Sequence, residues 1–418
     1  MNMDPDLTED KNAKISTRTR NNKIVREENK KRIIEIVGKF EPIGIETILN
    51  QSSLSYPTVF SIVKELVADG VLEKSGYAES TGGRQAILYT VCTSNNYVMG
   101  IHLYSEWLAL TICDVKGRII CEKKDDALPT VYAEEELATE LNDRIRKTLN
   151  AVGISYERLS GICLTSPANP VPTLSEPEIE RWDIKKLAEL LTKITGVNTT
   201  DMHDAALLNF LERTNYALSE MKSYIHIVLE QELKITMYNK SAAQCDPMDT
   251  FDCLGHTTVV PNGMPCECGL RGCVLTYCNG FGLYEDYLKR RKDSRSILPP
   301  FESMKQKGIF NSMLILARKK DEAAMHALDA SLRILAITLA NVAKTMGVYN
   351  IVLSGFFTSN DEEYHHALEN YIKENIPAIY SGKLKLILGM ALLEDCSHGA
   401  CLYLCNSLFP ELDNQRFK

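Results

Sequence analysis

The stretch GHTTVVPNGMPCECGLRGC, residues 255–273, says most about the fold of this 418-residue chain. Its cysteines, Cys266, Cys268 and Cys273, fall within eight residues, and His256 lies ten positions before the first of them. Interleaved glycines and prolines favour a tight loop over a helix or a strand. Three thiolates and one imidazole are a typical donor set of a closed structural zinc site, which leaves no position for a catalytic water. We therefore predict a structural Zn2+ ion here; the alternative is a group of free core cysteines.

The composition is ordinary for a soluble globular protein of two or three domains. The chain is 44% hydrophobic and 24% charged, and its net charge is −8. The first ten residues, MNMDPDLTED, lack the apolar core of a signal peptide, and no run approaches the roughly 20 apolar residues that span a bilayer. We expect a cytoplasmic protein with no membrane partner, whose 13 cysteines are reduced thiols apart from the metal site.

Positive charge is concentrated near the N-terminus. Residues 11–34 contain nine lysines or arginines and two glutamates, an excess of seven charges that would be drawn to phosphates. Residues 1–21 are polar and show no hydrophobic period, so we expect a disordered tail. A solvated tail and helix face is the alternative reading of this charge.

Residues 22–92 predict a winged helix-turn-helix domain. One helix begins at Asn22, a second follows Pro42, and Ser55 is a suitable N-cap for a third. The third helix has apolar residues on one face and small polar groups with one cation on the other, as a recognition helix requires. A hairpin with a glycine-rich tip would form the wing, and the alternative is a three-helix domain that binds only proteins. The predicted DNA contacts are Ser55, Tyr56, Thr58, Ser61, Lys64 and Arg84.

Residues 93–418 predict an α/β sensor module, because strand-like runs alternate with helical ones. The predicted strands cover 98–101, 108–114, 159–164, 224–229, 351–355 and 383–388. The predicted helices cover about 133–151, 183–195, 361–374 and 396–408, with a long helix from Ala205 and largely helical structure over 298–345.

From about Asn22 to Leu408 the chain resembles the ROK (repressor, ORF, kinase) family in its repressor form. The resemblance is carried by STGGRQ at 80–85, by the pair Gly255-His256, and by the signature Cys266-x-Cys268-Gly269-x-x-Gly272-Cys273. It implies a two-lobed, actin- and hexokinase-like (RNase H-like) module with a ligand cleft between the lobes and a last helix that returns to the first lobe. It also implies a homodimer or tetramer, and a zinc ion held by His256 and the three cysteines.

The phosphate-binding stretches distinguish the kinases of this family from its regulators. Where kinases carry Asp-x-Gly-Gly-Thr, this chain reads GIHLYSE over 100–106, and the second glycine-rich loop is replaced by EQELK over 230–234. Backbone amides close round phosphate oxygens where glycines permit it, and the added acids would repel phosphate. We therefore predict that the protein is not an enzyme; an ATP-dependent carbohydrate kinase is the alternative.

The sugar-contact pattern is altered as well. Asp204 matches the family's catalytic base, but His203 precedes it in place of asparagine, and Cys253 and Leu275 stand where glutamates are expected. Losing two carboxylates would leave sugar hydroxyls unpaired. We predict His203, Asp204 and His256 as ligand contacts, with the alternative that Asp204 only caps the following helix.

These observations together predict a transcriptional regulator, most simply a repressor, that binds a palindromic double-stranded DNA operator. Its effector would be a sugar or a sugar derivative. Two alternatives stay open: a regulator that answers to a protein partner without a small molecule, and redox sensing through Cys253 and Cys278.

Overall fold

The computed structural model describes residues 9–79, 85–104, 107–128, 133–166, 183–218, 221–229, 232–239, 254–291, 298, 306–355, 362–409 and 412. Over these residues the chain forms three β-sheets, one in the N-terminal domain and one in each of two following lobes. Arg84, Cys253 and the wing tip lie outside the described residues.

The N-terminal domain has three helices and a small sheet. In chain order its elements are α1 (Glu9–Phe40), β1 (Ile43–Gly44), α2 (Ile45–Ser52), α3 (Tyr56–Ala68), β2 (Leu72–Tyr77) and β3 (Ile87–Val91). The strands are antiparallel in the order β1-β3-β2, so β2 and β3 form the hairpin of a wing. The domain buries apolar side chains of all three helices, among them Ile33, Ile48 and Val59.

Helix α1 corrects one expectation. It begins at Glu9, within the segment that we predicted to be disordered, and not at Asn22. The chain has neither proline nor glycine between Pro5 and Gly38, so nothing in its backbone interrupts a helix that continues from the packed end.

The first lobe is a mixed sheet with two of its own helices on one face. Its elements are β4 (Tyr97–Leu103), β5 (Trp107–Asp114), β6 (Ile119–Asp126), α4 (Glu134–Ala151), β7 (Leu159–Thr165), α5 (Ile184–Thr195) and β8 (Thr199–Asp201). The strand order is β6-β5-β4-β7-β8, with β4 antiparallel to β5 and parallel to β7. Every residue of β4 is buried. Its Met99 and Ile101 pack in the cluster that also contains α4 and α5.

The second lobe follows the connecting helix α6 (Asp204–Glu212). Its elements are β9 (Ser223–Leu229), β10 (Leu233–Asn239), α7 (Leu275–Cys278), α8 (Gly280–Arg290), α9 (Gln306–Arg318), α10 (Glu322–Met346), β11 (Asn350–Gly355), α11 (Glu362–Glu374), α12 (Ala378–Ser381) and β12 (Lys385–Leu388). The sheet order is β10-β9-β11-β12. Alternate residues of β9, Ile225, Ile227 and Leu229, join the helices in the core of this lobe.

The last helix, α13 (Cys396–Leu408), packs against the sheet of the first lobe. A Cβ on Gly100 of β4 would lie 1.9 Å from the carbonyl oxygen of Ser397, so only glycine permits this approach. On its other side α13 contacts α6, where a Cβ on Gly399 would lie 2.4 Å from the carbonyl oxygen of Leu207. Helices α6 and α13 therefore form the seam between the lobes.

Helix α10 departs from the expectation that no segment could span a membrane. By length and composition alone it could do so, since it has 25 residues and a mean hydropathy of 1.3 over its most apolar window. That window is 56% buried inside the protein. Its apolar side chains, such as Leu335 and Leu339, lie in the core of the second lobe. Core burial therefore accounts for its apolar composition.

Candidate functional sites

The loop over residues 254–274 is a compact set of turns beside α7. The amide of Val259 donates to the carbonyl of Gly272 at 2.8 Å, and the amide of Gly272 donates to the carbonyl of Met264 at 2.8 Å. Gly272 has a φ of 77°, and a Cβ there would lie 1.7 Å from the carbonyl oxygen of Val260. A side chain at position 272 would therefore disrupt the loop.

These turns bring together the four residues predicted to bind a metal. The ligand atoms of His256, Cys266, Cys268 and Cys273 all lie within 4.8 Å of one another. The Cys268 and Cys273 sulfur atoms are 3.7 Å apart, and the Cys266 sulfur is 3.4 Å from Nδ1 of His256. A tetrahedron with metal–sulfur bonds of about 2.3 Å has edges of about 3.8 Å. The cluster therefore has the dimensions of a four-coordinate metal site.

A buried ion pair joins α6 to β10 where the ROK resemblance implies the ligand cleft between the lobes, and we refer to this position as the cleft. Nζ of Lys234, on β10, donates to Oδ2 of Asp204 at 2.6 Å, and the two side chains are 8% and 1% exposed. Oδ1 of Asp204 accepts from the amide of Ala205 at 2.6 Å. Both carboxylate oxygens that could hold a ligand hydroxyl therefore already have a donor. The carboxylate of Glu232 lies 3.4 Å from Nζ of Lys234 on its other side.

The capping alternative for Asp204 is wrong in detail. The N-cap of α6 is His203, which is exposed and whose side chain makes no capping hydrogen bond, and Asp204 is the first helical residue. Helix α6 also ends after nine residues, so it is shorter than the long helix predicted from Ala205. Asp204 nevertheless accepts from an amide of the first turn, so its charge lies near the positive end of the helix dipole.

His102 and two aromatic residues occupy the end of β4, where a kinase of this kind would have its first phosphate loop. The His102 ring is fully buried, and it lies 5.2 Å from the Trp107 ring and 5.8 Å from the Tyr104 ring. Burial lowers the pKa of His102 to about 4, and Asp204 and Lys234 are close enough to influence that pKa in opposite directions. The site thus presents a neutral imidazole and bulky rings in place of glycine amides.

Polar side chains of α6 also bind the sheet of the second lobe. Nδ2 of Asn209 donates to Oγ1 of Thr236 at 2.8 Å. Oε1 of Glu212 accepts from the hydroxyl of Ser354 at 2.8 Å, and the same hydroxyl is 2.8 Å from Nε2 of His226. Burial lowers the pKa of His226 to about 3, so this histidine is neutral. Helix α6 is therefore fixed to β9, β10 and β11, whereas α13 is fixed to the first lobe.

The metal loop and the cleft are adjacent in space. A Cβ on Gly255 would lie 3.4 Å from the Cβ of Leu233, the residue before Lys234. Gly255 itself precedes His256. The loop therefore packs on the strand that supplies the cleft cation, although His256 points towards Cys266 and has its Nδ1 committed there.

In the N-terminal domain, α3 presents the face predicted to contact DNA. Ser55, Tyr56, Ser61 and Lys64 are exposed and Thr58 is half-buried, whereas Val59, Ile62, Val63 and Leu66 face the core. Ser55 occupies the N-cap position, but its hydroxyl lies 2.8 Å from that of Thr58 and makes no capping bond to the backbone. One exposed residue of this face, Phe60, escaped the sequence reading because an aromatic at helical spacing is more often part of a core.

The N-terminal domain is connected to the first lobe by packed contacts. Val115, in the turn between β5 and β6, and Leu412 belong to the apolar cluster of the N-terminal domain. Lys116 in the same turn forms an ion pair with Glu41, which follows α1. His398 of α13 lies 3.2 Å from the carbonyl oxygen of Gly117. A displacement of α13 therefore has a direct route to the N-terminal domain.

The fold and the sites define a helical domain with a β-wing joined to a two-lobed α/β module that has an interlobe cleft and a Cys3His cluster. The ROK family profile matches residues 98–389, and the chain belongs to the ROK family. The predicted family is thereby confirmed.

Two kinds of relatives share this fold. The chain is 22% identical over 372 residues to the DNA-binding transcriptional dual regulator NagC of Escherichia coli K12, covering 86% of this chain and 89% of NagC. A ROK family transcriptional regulator described as a homologue of the E. coli MLC protein aligns with a TM-score of 0.75 and 17% identity, over 94% of this chain and 99% of that one. The ROK hexokinase of Thermus thermophilus aligns with a TM-score of 0.56 and 20% identity, over 74% and 98%. These alignments confirm the predicted two-lobed, actin- and hexokinase-like fold.

Proposed function

We propose that the protein is a DNA-binding transcriptional regulator, acting as a repressor, whose interlobe cleft controls the geometry of its DNA-binding domain. The observation that carries the proposal is the exposed face of α3, with its hydroxyls and Lys64, on a winged helix-turn-helix scaffold. Base edges are read by such side chains in the major groove. The match to a DNA-binding regulator over 86% of the chain supports the same proposal.

The operator would be palindromic double-stranded DNA, bound by a homodimer or a tetramer. Two-fold symmetric proteins of this class place their recognition helices in half-sites one helical turn apart or a multiple of it. Arg84, next to the glycines at the wing tip, would reach a phosphate or the minor groove. The protein would act in the cytoplasm, where its operator is.

The metal of the Cys3His cluster would be Zn2+ in a structural role. Four protein donors fill a tetrahedral zinc ion and leave no position for a water to react. The sulfur–sulfur distance of 3.7 Å supports this assignment. The ion would link the two ends of a 19-residue loop, and so hold in place the segment that packs on Leu233.

The effector would be a sugar-type ligand that enters the cleft at Asp204, with His203 and Nε2 of His256 as further contacts. We expect a sugar hydroxyl to take the place of Nζ of Lys234, which is 2.6 Å from Oδ2 of Asp204. Ligand binding would therefore break an ion pair that joins β10 to the N-terminus of α6. Movement of α6 against α13 would then displace His398, which contacts Gly117. The neighbouring Lys116, which pairs with Glu41, would transmit this displacement to the N-terminal domain.

The experiment that tests the proposal is selection of duplexes from a random pool by the full-length protein, followed by binding titrations against KCl concentration. Replacing Lys64 and Arg84 together by alanine should weaken binding tenfold or more, and should reduce the salt slope by about 1 per lost phosphate contact. Lys289→Ala, at an exposed position on α8, is the matched control and should bind like the wild type. Unchanged affinity and slope in the double variant would exclude this face as the DNA-binding surface.

The second candidate is an ATP-dependent sugar kinase, because the hexokinase of T. thermophilus shares the fold. His102 and the rings of Tyr104 and Trp107 argue against it, since they stand where backbone amides would bind phosphate. ADP release measured over a panel of sugars should not exceed that of Asp204→Asn. Saturable turnover that this substitution abolishes would establish the kinase.

A further inference from the structure

The exposed face of α3 contains a ridge that its polar residues do not explain. Tyr56 and Phe60, one turn apart, are 53% and 48% exposed. Their rings stack with centroids 6.1 Å apart and planes inclined by 13°. Lys64 follows one turn later and is also exposed. The ridge formed by Tyr56, Phe60 and Lys64 therefore presents two fixed aromatic rings and a cation to solvent.

Residues of the wing and of α1 lie close to the part of α3 that carries this ridge. Burial raises the pKa of Tyr89 on β3, and Tyr56 is close enough to add to that shift. Arg26 and Lys30 of α1 pair with Glu65 at 2.5 and 2.6 Å. Lys30 also pairs with Glu27 at 3.6 Å, so these two cations are matched by two carboxylates, and the cation that the ridge itself presents to solvent is Lys64. An exposed cation at the ridge end and a wing in the same domain suit a polyanionic groove better than an apolar protein surface.

Among the groups on base edges in the major groove, only the C5-methyl of thymine is apolar. Phe60 has no hydrogen-bonding group, so it gains nothing from the donors and acceptors of the other bases. The stacked Tyr56 restricts where the Phe60 ring can lie, and a ring held in position loses little entropy on binding.

We propose that Phe60, supported by Tyr56, contacts thymine methyl groups in the major groove and so makes thymine the preferred base at one position of each operator half-site. The inference rests on the proposed DNA-binding function. Under this proposal Phe60, which has no polar group, contributes to sequence preference. Ser61 and Lys64 would contact the neighbouring base edges or phosphates.

The test uses the full-length protein and the duplex that selection yields. In matched duplexes each thymine of the half-site is replaced in turn by deoxyuridine, which removes the methyl group and keeps every hydrogen-bonding group. At one position in each half-site the wild type should bind about fourfold more weakly per methyl removed. Phe60→Ala should bind the thymine duplex more weakly and be indifferent to that replacement. Phe281→Ala, at a residue of similar exposure on α8, should retain the wild-type sensitivity.

The outcomes separate this inference from the function on which it rests. If the wild type binds the selected duplex but no thymine methyl matters, or if Phe60→Ala keeps the wild-type sensitivity, the inference is wrong and DNA binding stands. If no duplex is selected, the proposed function fails and the inference with it. If Phe60→Ala changes the sedimentation of the protein and leaves DNA affinity unaltered, the ridge is a protein contact. Phe60 is exposed, so the variant should fold, and its melting temperature checks this.

Discussion

The metal loop and the cleft are adjacent, but their polar groups differ in where their partners come from. In the loop, four donor atoms converge within 4.8 Å of one another. In the cleft, the charge of Asp204 is matched from within the chain by Lys234 at 2.6 Å. The loop has the donor set of a site that an external ion would complete, whereas the chain itself supplies the partner of Asp204.

This difference separates the part of the molecule that maintains the fold from the part that sets its response. The loop keeps the four donors that the ROK resemblance implies for a zinc ion. The cleft can exchange ligand contacts for internal ones without altering the lobes that surround it. We therefore expect substitutions in the loop to change metal content and substitutions in the cleft to change ligand binding.

The largest expected effect is loss of the metal. Cys268→Ser should abolish stoichiometric zinc binding and unfold the loop, because metal binding to such a site is coupled to its folding and is worth on the order of 10 kcal/mol. Metal content by mass spectrometry should fall from one zinc per chain to near zero, with a lower melting temperature. Cys121→Ser, at a half-buried cysteine on β6, is the control and should retain the ion. A Cys268→Ser protein with full zinc content would refute the four-ligand site.

Breaking the cleft pair should have the next largest effect. Lys234→Met leaves the carboxylate of Asp204 buried without its cation, which costs about 3–5 kcal/mol in the free energy of unfolding. Adding Asp204→Asn to this variant should restore most of the loss, as urea titration would measure. Lys373→Ala removes an exposed ion pair with Glu369 on α11 and should change little. Equal losses in the single and double variants would mean that the pair does not act as a unit.

The stability of the protein should depend on pH through His102, the neutral histidine of the cleft. The pKa of His102 is about 4 in the folded protein, below the ordinary 6.5, so the unfolded chain binds a proton that the folded chain excludes. Stability is therefore lost as pH falls from 6.5 towards 4, by about 1.4 kcal/mol at pH 5.5 for this residue. His102→Gln should flatten the curve by that amount in urea titrations at pH 7 and 5.5. A curve as steep as that of the wild type would show that His102 does not cause the loss.

Much of the fold was predictable because the sequence patterns that mark its helices and strands are local. The helix predicted over 396–408 is α13, which is buried over most of its length, and the helix predicted over 133–151 starts one residue late as α4, which buries one apolar face. Strand β6 was missed because its sequence, IICEKKDD, is mostly exposed on a sheet edge and carries no apolar alternation.

The metal site was predictable because its donors lie close together in sequence and are of the right types. The Asp204–Lys234 pair was not, because its partners are 30 residues apart and belong to different elements. In the sequence, Lys234 is distinguished only as part of the stretch 230–234, which lacks glycines. Its partner depends on the packing of β10 against α6, which sequence spacing does not encode. Phe60 was missed for a related reason, since only the packed domain reveals which aromatic residues stay outside the core.

The central claim is that Lys234 occupies the position of a ligand on Asp204, and sugar binding measured by calorimetry tests it most directly. The wild type and Lys234→Met would be titrated with the same panel of uncharged sugars. Because a ligand no longer has to break a charged hydrogen bond, the variant should bind its preferred sugar about tenfold more tightly than the wild type, or more. A wild type that binds as tightly as the variant, or sugar binding by neither protein, would contradict the account.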